Sequence, residues 1–154
     1  MVGTVRAFGL MLPRPASYYA ADLVASVALL ISIWILGKFG SGVLLSLVAG
    51  LVYFMMGSFG LLVFIGVMLR GVTSDITLKL FGYRNSLTST GFRAVGPIVS
   101  MAFAAATANG VTSFLYGYPA ILVAVKAASH AVFGAVGGAL GVIIFKALKA
   151  RITT

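Results

Sequence analysis

The sequence predicts an all-α protein, a polytopic bundle of membrane-spanning helices, and three observations carry this prediction. Hydrophobic residues make up 61% of the 154 residues and charged residues only 8%, whereas a soluble domain carries about a quarter charged residues. The apolar residues are grouped into stretches close to the ~20 residues that a spanning helix needs. Most of the 11 Lys and Arg residues lie near the ends of these stretches. Soluble enzymes and nucleic-acid-binding proteins are therefore excluded, and no nucleic acid is expected as a partner.

Five apolar stretches predict five transmembrane helices, and a sixth is left open. They cover residues 18–36, 41–56, 61–81, 94–116 and 120–149. Residues 1–17, which contain two prolines and two arginines, are predicted to form an extramembrane or interfacial arm, and residues 18–154 a single transmembrane domain. At ~1.5 Å per residue the fifth helix exceeds a ~30 Å hydrocarbon core. It is expected to tilt, to project beyond the bilayer, or to break near its glycines.

The basic residues predict the orientation of the chain, because short cytoplasmic loops carry an excess of Lys and Arg. An outer amino terminus and an inner carboxyl terminus place seven basic residues inside and two outside. The inner set is Lys38, Lys79, Arg84, Arg93, Lys146, Lys149 and Arg151, and the outer set is Arg6 and Arg14. The sequence thus predicts a multi-pass protein integral to the plasma membrane.

Polar side chains at membrane depth are costly and therefore mark candidate functional sites. Asn109 and Tyr116 share one face of the fourth predicted helix, and Lys126 and His130 share one face of the fifth. Together with Arg70 in the third helix they are the predicted substrate-binding residues. A structural alternative stays open for each polar group: Lys126 can extend its ammonium to the interface, and Asn109 and His130 can tie neighbouring helices together.

Arg70 and Asp75 lie on one helix but on different faces. The guanidinium is effectively always charged, so Arg70 is expected to meet a partner on another helix, either Asp22 or Asn109. Asp75 is expected to pair with Lys79, four residues further along the same helix.

The rare residue types limit the chemistry. The chain has no Cys, one His and two acidic residues, so we expect no nucleophile–base set, no metal centre and no cofactor. The sequence also contains no GxxxxGK[ST] phosphate-binding loop. The chain is therefore predicted not to be an enzyme, and any ATP-driven work is assigned to a partner.

Small residues recur at four-residue spacing, which lets helix backbones approach closely. The pairs are Ala21 with Ala25, Ala104 with Ala108, Gly134 with Gly138, and Gly137 with Gly141. Contacts within the chain are the default interpretation, and contact with another membrane subunit is the alternative.

Three segments of the chain carry a family resemblance: GSFG at 57–60, RGVTSD at 70–75 and LFGYR at 80–84. This order of a Gly-Ser turn, a helix with a basic residue, a glycine and an acid, and a closing Phe-x-Tyr-Arg resembles the substrate-binding S components of energy-coupling-factor (ECF) vitamin transporters. It is most similar to the YkoE-type hydroxymethylpyrimidine/thiamine subgroup. The glycine-containing final helix and its basic end, residues 130–149, are also similar to the last helix of S components.

The resemblance implies a six-helix protein that captures a vitamin or vitamin precursor from outside the cell. Such proteins work with a transmembrane coupling subunit and cytosolic ATPases, and ATP hydrolysis tilts the S component so that substrate is released inside. Small-residue helix faces contact the coupling subunit, and Ala21 and Ala25 match that pattern. The present chain has five predicted spans where the family has six, and few of the acidic residues expected around a thiamine-like cation.

These observations predict a substrate-capturing membrane subunit for a small water-soluble vitamin or precursor, with a thiamine- or hydroxymethylpyrimidine-like compound as the first candidate. The partners are then a small-molecule substrate, the coupling subunit with its ATPases, and membrane lipid. The alternative is a structural or assembly subunit that binds no ligand and packs through its small-residue faces.

Overall fold

The computed structural model describes residues 14–55, 60–83 and 95–152, and these residues form five α-helices. The helices are α1 (Arg14–Leu36), α2 (Ser41–Met55), α3 (Gly60–Leu80), α4 (Gly96–Leu115) and α5 (Ala120–Ile152). Each agrees with a predicted apolar stretch to within a few residues. The helix α1 begins four residues earlier than predicted, inside the segment assigned to the amino-terminal arm. Most of the segment between the third and fourth predicted helices, residues 82–93, lies outside the described residues.

Backbone geometry explains where two of the helices end. After α4, Gly117 adopts a positive φ of 75°, and its amide donates to the Phe114 carbonyl while the Tyr118 amide donates to the Ser113 carbonyl. This pair of bonds closes a helix in the Schellman arrangement, which favours glycine at the left-handed position. Pro119 follows and prevents the helix from continuing. The same pair of bonds closes α3 at Gly82 and Tyr83.

The helices pack in a fixed order of neighbours. The helix α5 lies between α1 and α4, and α3 lies between α4 and α2, so that α1 and α2 are the two ends of this order, with a smaller contact between them. The connections between α1 and α2 and between α4 and α5 contain four residues each, residues 37–40 and 116–119, which makes these pairs neighbours in space. Gly137 meets Leu23 and Gly141 meets Leu30, so α1 and α5 run in the same direction. The beginning of α1, the end of α4 and the beginning of α5 therefore lie at one end of the bundle.

The helix α5 continues without a break for 33 residues, about 50 Å at the standard rise. Its glycines do not interrupt it; they make two seams with neighbouring helices. A Cβ at Gly138 would lie 2.9 Å from the Pro97 carbonyl oxygen on α4, and a Cβ at Gly137 would lie 2.7 Å from the Ser26 Cβ on α1. The prediction that the glycine pairs make contacts within the chain is confirmed.

Four of the five helices are long and apolar enough to cross a membrane. The fifth apolar helix, α2, has 15 residues, which is shorter than the ~20 residues of a typical span. The buried apolar side chains form a small core: Leu30, Ile33, Leu78, Met101 and Phe145. Many large apolar side chains lie on the outside of the bundle, including Leu44, Val48, Ile121, Val125, Val132 and Ile143. An apolar exterior around a helical bundle is what a protein in lipid requires.

Candidate functional site

A buried carboxylate, that of Asp22 on α1, is the centre of a polar cluster inside the bundle. The Arg70 guanidinium of α3 donates from Nη1 to Asp22 Oδ1 at 2.6 Å. Its Nη2 donates to the Asp22 backbone carbonyl at 2.9 Å and to the Ser26 hydroxyl at 2.6 Å. Both charged side chains are about nine-tenths buried. The expected partner of Arg70 on another helix is therefore present, and it is Asp22.

Two further helices supply groups to the same carboxylate. The His130 ring on α5 contacts Asp22 Oδ2 through Nδ1, and the Asn109 amide on α4 donates to the same oxygen at 3.4 Å. Because a carboxylate can only accept, the His130 Nδ1 that faces it carries the proton. Asn109 also donates to the carbonyl of Ala105 on its own helix at 2.9 Å. We call Asp22, Ser26, Arg70, Asn109 and His130 the Asp22 cluster.

Aromatic rings adjoin the Asp22 cluster on one side. The ring of Tyr19 lies 5.3 Å from that of His130 and stacks on Phe133, with centroids 4.5 Å apart and planes 19° apart. Tyr19 lies one turn before Asp22 on α1, and Phe133 lies about one turn after His130 on α5. The arrangement combines hydrogen-bonding groups with aromatic walls, as small-molecule sites do.

One buried polar atom of the cluster has no hydrogen-bond partner in the part of the chain that the structure describes. Among the described residues, the Nε of Arg70 is the buried side-chain nitrogen or oxygen that lacks a hydrogen bond. A buried donor without an acceptor costs free energy of the order of 1–3 kcal/mol. Such atoms in native proteins call for an explanation, of which a missing ligand or water is one.

The structure brings three of the five predicted binding residues together and leaves two apart. Arg70, Asn109 and His130 meet at Asp22. The Lys126 ammonium instead lies 4.0 Å from the centre of the Tyr118 ring, next to the α4–α5 connection. Tyr116 lies in the same connection with 54% of its surface exposed.

Ser26 was not predicted as a site residue. A hydroxyl inside an apolar helix has little signal by itself, because it can bond to its own backbone. Its spacing from Asp22 is the usable signal, since residues four apart share a helix face. Tyr19 was also outside the predicted site, because aromatic residues at helix ends are ordinarily interfacial.

A second buried carboxylate lies on α3, nearer the carboxyl end of this helix than Arg70. Asp75, only 1% exposed, accepts hydrogen bonds from the backbone amides of Gly42 at 3.1 Å and Val43 at 2.9 Å. These amides belong to the first turn of α2, where backbone N–H groups have no acceptor within their own helix. The expected Asp75–Lys79 pair is wrong, because the Asp75 carboxylate faces the start of α2 and the Lys79 ammonium lies over the Phe39 ring.

Tyr83 completes the surroundings of Asp75. Its hydroxyl donates to Asp75 Oδ1 at 2.6 Å, and its backbone has a positive φ of 52°, a conformation that costs a non-glycine residue about 1–2 kcal/mol. Burial, and then the bond to Asp75, raise the pKa of the Tyr83 phenol, so the hydroxyl stays protonated and continues to donate. Asp75 thus joins α3, the start of α2 and Tyr83, which lies beyond the end of α3.

Replacing Asp75 with alanine is expected to destabilise the protein by about 1–3 kcal/mol, because one buried amide, one partly buried amide and one hydroxyl lose their acceptor. Asp75→Asn keeps one acceptor oxygen and is expected to lie between alanine and wild type. The measurement is thermal unfolding in detergent. Thr77→Ala is the control, since the Thr77 hydroxyl donates to the carbonyl of Thr73 on its own helix. An Asp75→Ala protein as stable as Thr77→Ala would contradict the role given to this carboxylate.

The predicted partner-contact residues, Ala21 and Ala25, are partly exposed on α1. In the same helix, Leu23, Ser26 and Leu30 make the close contacts with the glycines of α5. Within the described ranges no three His, Asp or Glu side chains are grouped closely enough to hold a metal ion.

Comparison with known proteins gives one finding. Residues 6–96, more than half of the chain, match the family model described as the permease component of the ABC-type cobalt transport system. No curated protein and no solved structure matches the chain.

Proposed function

The chain belongs to the family of permease components of ABC-type cobalt transport systems, and is therefore an integral membrane component of a transporter that works with other components. From this premise we propose that it is the substrate-capturing subunit, similar to an ECF S component, for a small water-soluble organic compound of the vitamin or vitamin-precursor type. Thiamine and its hydroxymethylpyrimidine precursor are the first candidates, because the sequence resembles that subgroup. The proposed location is the plasma membrane.

One observation supports substrate capture above the others: four separate helices contribute polar groups to a single buried point. Asp22, Arg70, Asn109 and His130 come from α1, α3, α4 and α5. Two of these groups form a charge pair, and buried charges are expensive in a membrane unless they have a function or a partner. A site built from four helices also responds to any relative movement of those helices, as a transport cycle requires.

The chemistry of the Asp22 cluster favours an organic substrate over a bare cobalt ion, although cobalt appears in the description of the family. A Co²⁺ site is built from imidazole, thiolate or carboxylate ligands, and this sequence has one His, no Cys and two acidic residues. Of the two carboxylates, Asp75 bonds to the start of α2, and Asp22 bonds to the guanidinium of Arg70. The remaining carboxylate, that of Asp22, is already bound to the positively charged Arg70 guanidinium, which repels a divalent cation.

The proposed partners follow from the transporter family and the resemblance. They are a transmembrane coupling subunit and cytosolic ATPases, since the chain itself carries no nucleotide-binding loop. The partly exposed Ala21 and Ala25 remain proposed contacts for the coupling subunit. The Asp22 cluster lies in the half of the bundle that contains the α4–α5 connection, which the proposed orientation places outside.

The direct test is ligand-dependent thermal stability of the protein purified in detergent. A ligand that binds only the folded state stabilises it by about 2.7 kcal/mol at a hundredfold excess over its dissociation constant. We expect a saturable rise in melting temperature with one class of vitamin or precursor and no saturable rise with CoCl₂. His130→Ala and Asn109→Ala are each expected to raise the apparent dissociation constant of the ligand at least tenfold.

Ser129→Ala is the matched control for His130→Ala. Ser129 is adjacent on α5, and its hydroxyl bonds to the Lys126 carbonyl of the same helix, so its loss leaves the Asp22 cluster intact. A saturable response to CoCl₂ alone would replace the organic substrate with the metal ion. A folded protein that responds to no compound would support the second candidate, an assembly subunit.

The proposed orientation has its own test, which the absence of cysteine makes simple. Ala120, the first residue of α5, and Lys38, in the α1–α2 connection, are both exposed and are suitable positions for single cysteines. In intact cells we expect a membrane-impermeant maleimide to label Ala120→Cys, and to label Lys38→Cys only after permeabilisation. The reverse pattern would invert the orientation and place the Asp22 cluster in the inner half of the membrane.

A further inference from the structure

We propose that the carboxyl end of α5, together with the neighbouring ends of α1 and α3, binds the headgroups of anionic phospholipids. We call this surface the basic end, and its exposed basic residues are Lys38, Lys79, Lys146, Lys149 and Arg151. The inference is independent of the substrate and of the Asp22 cluster. It depends on three properties of the basic end: its position, its net charge, and the apolar side chains exposed among its basic residues.

Side-chain contacts between helices bring these basic residues to one end of the bundle. The Lys79 ammonium, near the end of α3, lies 4.8 Å from the centre of the Phe39 ring in the α1–α2 connection. Trp34, near the end of α1, packs against Phe145 of α5 with ring centroids 4.0 Å apart. The ends of α1, α3 and α5 therefore lie together, with their basic residues at a similar depth.

The helix α5 continues at this end beyond its last buried contact. Phe145 is buried against the bundle, and the helix runs on for seven residues to Ile152, about 10 Å at the standard rise. Lys146, Lys149 and Arg151 are exposed on this extension. The headgroup layer is about 5–7 Å thick on each side of the hydrocarbon core. A helix that leaves the apolar bundle here crosses that layer, so its basic residues lie among the headgroups.

The surface of the basic end carries a net positive charge. It exposes five basic side chains, whereas the two acidic side chains of the chain, Asp22 and Asp75, are both buried and bonded inside the bundle. Lys and Arg residues close to a membrane surface are attracted to anionic lipids over about a Debye length. The proposed orientation places the basic end at the cytoplasmic leaflet, whose surface potential is negative. Charge complementarity therefore favours an anionic headgroup over a zwitterionic one.

Apolar side chains exposed among the basic residues favour lipid over an acidic protein in water. Leu80, next to Lys79, is 80% exposed, and Leu148, between Lys146 and Lys149, is 43% exposed. A Lys stem can lie along hydrocarbon while its ammonium reaches the headgroups. Neighbouring apolar and basic side chains are thus both accommodated at the boundary between hydrocarbon and headgroups, whereas water would hydrate the apolar ones unfavourably.

The experiment measures the lipid selectivity of the purified protein in vesicles of dioleoylphosphatidylcholine. Electron spin resonance of spin-labelled phosphatidylglycerol and phosphatidylcholine gives the association constant of the anionic lipid relative to that of the zwitterionic one. At low salt we expect phosphatidylglycerol to associate about threefold more strongly or better. The preference is expected to disappear at about 1 M NaCl, where the Debye length is only ~3 Å. Equal association of the two lipids at low salt would overturn the proposal.

Variants of the α5 extension locate the selectivity. The triple variant Lys146→Gln, Lys149→Gln and Arg151→Gln removes three positive charges and is expected to lose most of the preference for phosphatidylglycerol. The double variant Lys146→Arg with Lys149→Arg keeps the charge and is expected to keep the preference. Ala147→Gln is the matched control, because it adds the same side chain at an exposed position of the extension without removing a charge.

The substituted residues lie beyond the last buried contact of α5, so each variant is expected to unfold at the wild-type temperature in a zwitterionic detergent. An undiminished preference in the triple variant would overturn the assignment to the α5 extension. Loss of co-purifying cytosolic partner proteins from that same variant would then identify the basic end as a protein contact instead. A preference lost equally in Ala147→Gln would also contradict the inference, because charge would not be its cause.

Discussion

Asp22→Ala is expected to destabilise the folded protein by about 3–5 kcal/mol and to abolish ligand binding. Removing one member of a buried ion pair leaves the other charge without compensation, and this costs more than the pair itself contributes. Here the Arg70 guanidinium would lose its bond to Oδ1 and keep only the Asp22 carbonyl and Ser26. His130 and Asn109 would lose their shared acceptor as well. Thermal unfolding in detergent and titration with ligand are the two measurements.

Ser26→Ala provides the graded comparison for Asp22→Ala. It removes one hydrogen bond to the same guanidinium without removing a charge, and is expected to cost about 1 kcal/mol. In the double variant Asp22→Ala with Arg70→Ala the uncompensated charge is gone. Its stability is therefore expected to exceed that of Asp22→Ala, while ligand binding stays absent. Additive losses from the two single substitutions would show that the side chains are not coupled.

Gly137→Leu is expected to separate α5 from α1 and to destabilise the fold by about 3 kcal/mol, the upper end of the usual cost of overpacking. A Cβ at this position already meets the Leu23 carbonyl oxygen at 2.8 Å and the Ser26 Cβ at 2.7 Å. The contact with the α1 backbone cannot be relieved by a side-chain rotation. Because Ser26 belongs to the Asp22 cluster, ligand binding is expected to be lost together with stability. Size-exclusion chromatography and thermal unfolding report the two effects.

Val136→Leu is the matched control for Gly137→Leu. Val136 is the preceding residue on α5 and is 44% exposed, so a larger apolar side chain at this position extends into lipid or detergent. We expect its stability to lie within about 0.5 kcal/mol of the wild type. Equal behaviour of the two variants would mean that the seam between α1 and α5 does not depend on the small size of residue 137.

The positions of the helices could be predicted from the sequence because the signal for a membrane helix is local. A run of apolar residues has to form a helix in lipid whatever surrounds it. The break at Gly117-Tyr118-Pro119 is also local, because glycine allows the left-handed turn that ends a helix and proline prevents the helix from continuing. Arg70 could also be assigned a partner on another helix, since a permanent charge at that depth requires one. For the same reason Asp22 was one of two named candidates.

The contacts of Asp75 and Lys126 could not be predicted in the same way. Helical periodicity places Asp75 near Lys79, but it does not reveal that this face of α3 meets the first turn of α2, 32 residues earlier in the chain. The position of Lys126 depends on where Tyr118 lies after the turn that precedes α5. In both cases the choice of partner follows from the packing of whole helices, which a one-dimensional pattern does not contain.

The Asp22–Arg70 pair also sets an order of events in the biogenesis of the protein. The two residues are 48 positions apart in the chain, so at the usual 5–20 residues per second the ribosome adds Arg70 roughly 2–10 s after Asp22. During that interval α1 carries a carboxylate whose ionised partner has not yet been made, and His130 follows later still. Until α3 enters the membrane, the nascent α1 is therefore expected either to stay associated with the insertion machinery or to keep Asp22 protonated.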